Sequence, residues 1–205
     1  MEYNIYLIED ENQLETCPIF HVDNFNWGGD YRPKTFGQMA YLKGQGFYLK
    51  MTCMETNPVC HYENDNDPVY LDSTMEAFLA LCPPSDYYFN FEFNSKAALL
   101  AKYGNGRHGR TFFTAQQLEQ VKRCVSILED RWEITLLFPQ SVLTEYFPDF
   151  NPQAGTKIRL NFFKLAEGDE MTHFASYAPI QSPKPDFHLP QFFADGVLLQ
   201  ASHNP

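Results

Sequence analysis

Paired cysteines are missing from this chain. Five stand at positions 17, 53, 60, 82 and 124, an odd number with no CxxC spacing, which excludes a disulfide framework and a zinc ribbon. They read as reduced, mostly buried thiols, and Cys53 and Cys60 beside His61 lack the spacing of a metal-ligand set. Basic charge is scarce too: 15 Lys and Arg stand against 26 Asp and Glu, for a net charge of -11. Such a field repels phosphate backbones and anionic lipid, so no nucleic-acid partner and no membrane partner is expected. No run approaches the roughly 18 apolar residues of a membrane span, and the opening MEYNIYLIEDENQLE has neither the basic start nor the apolar stretch of a signal peptide. As written, the chain is expected in the cytoplasm, or outside the cell if a leader or a larger protein has been removed. Amphipathic helical patterns of ten or more residues are also lacking, which excludes a βαβ architecture.

What the chain has instead is aromatic residues, 19 Phe and 12 Tyr among them, the kind that pack well on a pleated sheet. The stretch Tyr87 to Asn94, YYFNFEFN, puts Tyr87, Phe89, Phe91 and Phe93 on one face of an extended chain and Tyr88, Asn90, Glu92 and Asn94 on the other. The same alternation sets Trp132, Ile134, Leu136 and Phe138 against Arg131, Glu133 and Thr135, and Ile158, Leu160 and Phe162 against Arg159 and Asn161. Ten β-like runs are separated by turn-rich segments such as WGGDYRP, ENDNDP and SPKPDFHLP. The expectation is an all-β, antiparallel two-sheet β-sandwich forming one domain over 1–205, each strand with one buried face. A few short helical turns are expected, at Ala115–Val121 with Thr114 as N-cap and at Ser141–Tyr146 before Pro148.

Residue types with reactive chemistry are present but scattered. Glu76 and Glu92 stand in strand contexts, and a glycoside-active enzyme built on a carboxylate pair is one alternative reading. A protein-interaction sandwich without a ligand is another. The acidic run Glu63 to Asp67 lacks the glycine and the closing glutamate of a calcium loop, and GNGRHGR, residues 104–110, lacks the lysine and hydroxyl of a phosphate loop. The arginines of that loop, Arg107 and Arg110, can serve as planar donors to hydroxyl groups or to Glu92. No cofactor motif, metal-ligand spacing or nucleophile-base arrangement is present, and Asn90 reads as ordinary sheet polarity.

Taken in order, Trp27 with Tyr31, Arg32 and Pro33 in WGGDYRP, VYLDSTMEAFLAL (69–81), YYFNFEFNSKAALLA (87–101), Arg107 and Arg110, RWEITLLFP (131–139) and ASYAPIQSPKPDFHLPQFF (175–193) resemble the family 9 carbohydrate-binding modules. Those modules are known as companions of xylanases. The resemblance implies a β-sandwich that binds a sugar or oligosaccharide without catalysis, between two aromatic rings and a set of polar side chains. Carried onto this chain, it implies a site of Trp27, Glu92, Arg107, Arg110 and Tyr177. Tyr177 stands where family members commonly place a Trp, and Phe193-Ala194-Asp195-Gly196 replaces the usual FG pair.

Overall fold

The computed structural model describes residues 1–167 and 171–201. Its first strands are β1 (Glu2–Ile8), β2 (Ile19–His21), β3 (Asn24–Gly28), β4 (Thr35–Leu42) and β5 (Gly46–Cys53). Next come β6 (Thr74–Ala80), β7 (Tyr88–Asn94), β8 (Leu99–Gly104), β9 (Thr111–Phe112), β10 (Lys122–Ile127) and β11 (Trp132–Pro139). The last are β12 (Lys157–Ala166), β13 (His173–Ser176) and β14 (Ala194–Gln200). Two short helices fall where the capping signals place them. Thr114 accepts from Gln117 N at the head of α1 (Ala115–Gln120), and α2 (Gln140–Tyr146) stops at Phe147 before Pro148.

The fold is mostly β, but the sheet is mixed and hydrogen-bonded in one continuous order, β10-β11-β5-β4-β1-β14-β12-β6-β7-β8-β9, with β2 on β4 and β13 joining β12 to β3. This corrects the expectation of a purely antiparallel sheet: β1 runs parallel to both β14 and β4. Alternation reports which face of a strand is buried and carries no information on the direction of its neighbour. The parallel β1 sits at the middle of the order, and the sheet curls there so that its two limbs face each other. Phe91 on β7 stacks on Phe138 of β11, ring centroids 4.1 Å apart, and Phe20 on β2 stacks on Phe162 of β12 at 3.7 Å. The residues expected inside, Phe89, Phe91, Phe93, Trp132, Ile134, Leu136 and Leu160, are all buried in this one core.

A second correction concerns the other face. Strands β6 and β7 are buried along their whole length on both sides, including Tyr88, Asn90, Glu92 and Asn94. A one-sided sheet would leave those four wet. Here the proline-rich segment folds back over the Tyr88 end, with Ile180, Phe187 and Phe193 packed on Phe78, Tyr88 and Phe163, while Asn94 at the other end donates to the Tyr62 carbonyl and Asp72. Tyr87 falls just outside β7, exposed, with its ring stacked on Tyr103. Trp27 lies in β3 rather than in a glycine-flanked loop. Gly28, at φ +104°, lets that strand end against β13, where an added Cβ would sit 2.7 Å from His173 Cα.

Candidate functional site

The outer face of β6 and β7 becomes a floor because its polar residues are held in register. Glu76 on β6 is the direct cross-strand partner of Glu92 on β7, and Asn90 follows two residues along the same face. Above them lies a cavity of about 240 Å³. Its walls come from the 104–110 loop, which brings Arg107, His108 and Arg110, and from Lys102 on β8. Opposite stand Phe174 of β13 and Pro185 to His188 of the proline-rich segment, with Tyr70 at the rim and Leu165 and Glu167 where β12 ends.

Arg110 organises this wall. Its Nε donates to Asn90 Oδ1 at 2.7 Å, Nη2 to the Tyr88 carbonyl at 2.8 Å and Nη1 to the Gly106 carbonyl at 3.0 Å. The guanidinium also lies over the Tyr88 ring, 4.1 Å from its centroid. Asn90 in turn donates to Glu92 Oε1 at 2.6 Å, so Arg110, Asn90 and Glu92 form one chain of hydrogen bonds. Gly106 and Gly109 take φ of +67° and +69°, which lets the loop turn tightly enough to bring both arginines to the cavity wall. Tyr88 Oη donates to the Gly106 carbonyl at 3.1 Å and stands 2.8 Å from His188 Nδ1, fixing the proline-rich segment against the loop.

Burial dominates the electrostatics. It raises the Glu76 carboxyl well above the usual carboxylate range, and the charge of Glu92 adds to this. Glu92 is pushed up to about 7, by burial first, against the opposing pull of the Asn90 hydrogen bond and the cations of Lys102, Arg110 and Arg107. His188 is pushed down to about 3 by burial and the same cations, so its imidazole stays neutral.

Of the residues expected at a site, the structure brings Glu92, Arg107 and Arg110 together around this cavity. Trp27 and Tyr177 do not line it. Trp27 is half-buried, donates from Nε1 to the Ser182 carbonyl at 3.1 Å and touches the wall through Phe187, 6.3 Å between centroids. Tyr177 packs on Tyr3 and Phe20 in the main core, on the far side of the sheet from the cavity. Asn90, read from the sequence as ordinary polarity, is the link between Arg110 and Glu92. Glu76 was visible in the sequence only as a candidate catalytic acid; its pairing with Glu92 depends on the β6–β7 register. Phe174 and Tyr70 gave no signal, being single aromatics in irregular or short segments. The acidic run Glu63 to Asp67 lies elsewhere, its Asp65 paired with Arg123 at 2.5 Å. All five thiols are free, with Cys17 and Cys53 buried and Cys124 exposed.

Comparison with known proteins places this geometry in a family. A family model described as carbohydrate-binding family 9 matches residues 5–198. Among solved structures, one from Bacteroides uniformis, described as a candidate carbohydrate-binding protein, is similar at 23% identity. Its TM-score is 0.84, over 96% of this chain and 98% of that one. A family 9 carbohydrate-binding module from Caldicellulosiruptor kristjanssonii is similar in two complexes. With cellotriose the match has 11% identity and a TM-score of 0.66, covering 100% of this chain and 96% of that one. With glucose it has 10% identity and a TM-score of 0.68, covering 100% and 99%. No curated protein matches the chain.

Proposed function

The chain belongs to carbohydrate-binding family 9, and from that premise we propose that residues 1–205 act as one non-catalytic binding module whose cavity over β6 and β7 takes a neutral sugar ring. The two limbs of the curled sheet then serve as the two layers of a sandwich, and the site lies on the outer surface of one layer. The observation that carries this reading is a buried polar floor of Glu76, Asn90 and Glu92 faced by Arg107 and Arg110 and flanked by Phe174 and Tyr70. Sugar hydroxyls need fixed donors and acceptors, and the C–H face of the ring packs on aromatic surface. Of the five residues expected from the resemblance, Glu92, Arg107 and Arg110 are proposed as contacts. Trp27 and Tyr177 are proposed as supports, Trp27 by anchoring the proline-rich segment at Ser182. That two similar solved structures of a family 9 module hold cellotriose and glucose supports a ligand of this class.

The carboxylate placement favours binding over hydrolysis. A glycosidase sets its acid and its nucleophile or base on opposite sides of the scissile bond. Glu76 and Glu92 instead stand side by side on one face and approach a ligand from the same direction. Calorimetric titration with glucose, xylose and their β-linked oligomers tests the reading. The expected dissociation constant is on the order of micromolar to millimolar, because desolvation of hydroxyls offsets most of each hydrogen bond. Absence of binding across that panel overturns it.

A further inference from the structure

Glu76 and Glu92 are an unusual pair to leave on a cavity floor. They are direct cross-strand partners, which sets their Cβ atoms about 4.5–5.5 Å apart, a position where like charges repel. Both are nearly inaccessible, at 3% and 5% exposure, and each has one carboxyl oxygen, Oε2, buried without a hydrogen-bond partner. Among the described residues neither carboxyl has an ion-pair partner, and Asn90 supplies the one side-chain hydrogen bond that reaches either.

The cations around the floor are engaged elsewhere. Arg110, from the 104–110 loop, is spent on Asn90 and the carbonyls of Tyr88 and Gly106. Arg107, from the same loop, is directed to Asp186 at 3.7 Å and to the Pro185 carbonyl. Lys102 of β8 lies over the Phe112 ring, 4.4 Å from its centroid. His188 is turned to Tyr88 Oη, while Glu167, past the end of β12, adds negative charge to the same space. His108 and Tyr70 complete the titratable groups at the wall. Two carboxylates so placed cannot both ionise cheaply: each buried charge would stand opposite the other with no counter-ion in contact.

We propose that Glu76 and Glu92 hold one proton between them at neutral pH, so that the cavity floor presents a hydroxyl donor beside a carboxylate acceptor and recognises two neighbouring hydroxyls of a neutral sugar. The inference rests on the sugar reading for its ligand but not for its proton. A fully ionised pair offers acceptors alone, and a fully protonated pair loses the charge that strengthens a hydrogen bond. The single shared proton gives the floor both roles at once. Ligand affinity is then proton-linked: it is greatest while the pair holds one proton, falls by about tenfold per pH unit once that proton is lost, and falls also when a second proton binds.

The test uses the whole protein labelled with 13C at its glutamate carboxyl carbons, titrated by NMR from pH 4 to 9 without ligand, followed by calorimetry with glucose over pH 5 to 9. Two coupled carboxyl signals are expected, with one proton persisting above pH 6, and in Glu76→Gln the Glu92 carbon should titrate at lower pH. Glucose affinity should be greatest between the two carboxyl midpoints and fall on either side of them. Two carboxyl groups ionised below pH 5 overturn the proposal, as does an affinity independent of pH from 5 to 9. If the proton is retained and glucose, xylose and their oligomers all fail to bind, the sugar reading falls and the shared proton stands.

Discussion

Glu92 and His173 show how single buried groups in this protein act on its stability with opposite signs. Glu92 is raised from 4.5 to about 7, so the folded chain holds its proton more tightly than the unfolded one. Its contribution is therefore full below about pH 4.5 and lost as the pH rises through about 7. His173 is lowered from 6.5 to about 4 by burial and the nearby Lys164 charge. Its contribution is present above about pH 6.5 and lost as the pH falls through about 4. Denaturant unfolding of the wild type and of Glu92→Gln between pH 4.5 and 8 separates the two. The wild type is expected to weaken relative to the variant across that window, by about 1.4 kcal/mol for each pH unit that separates the folded and unfolded midpoints. A difference that stays constant with pH would show that Glu92 ionises normally in the folded protein.

Strands set the position of the cavity, and they differ in how much of them the sequence discloses. β5, β7 and β11 alternate cleanly over seven or more residues and β12 over its first six, and each lies where that alternation puts it. β2, β3 and β13 run only 3, 5 and 4 residues, too short for a period to show, so the strand that carries Trp27 and the one that carries Phe174 were not legible. The direction of β1 was not legible either, because its parallel neighbours are contributed by chain far away in sequence. The polar face of β7 was legible as a pattern but not as a buried floor, since the cover at its Tyr88 end comes from a segment some hundred residues further along the chain. Arg107 and Arg110 could be named because basic charge in a glycine-rich loop of an acidic chain stands out, and Glu92 because it is a carboxylate within a strongly alternating strand. The meeting of Glu76 with Glu92 required a register that no local signal supplies. At this scale the inner face of β7 is the plainest test: Phe91→Ala removes the ring stacked on Phe138 between the two limbs. A loss of about 3–5 kcal/mol in unfolding free energy is expected from the lost burial and the cavity left behind. An unchanged melting temperature would mean that the limbs do not close on each other through this contact.

The whole molecule combines a closed aromatic core, an outer face largely sealed by the proline-rich segment, and a polar cavity left open over β6 and β7 between that segment and the 104–110 loop. Among the described residues no helix is long and apolar enough to cross a membrane. The net charge of -11 disfavours polyanionic ligands at long range, and the cavity's own balance of carboxyls and guanidinium groups suits a neutral, hydroxyl-rich one. The central claim is that this cavity, and not the Trp27 or Tyr177 surroundings, receives the sugar. Titration of the 15N-labelled protein with glucose, followed by two-dimensional NMR of backbone amides and arginine Nε–H groups, tests it in one measurement. The account predicts saturable shifts concentrated at Asn90, Glu92, Arg107, Arg110 and Phe174. No shift at tens of millimolar glucose, or shifts centred on Tyr177 and its core neighbours, would contradict it.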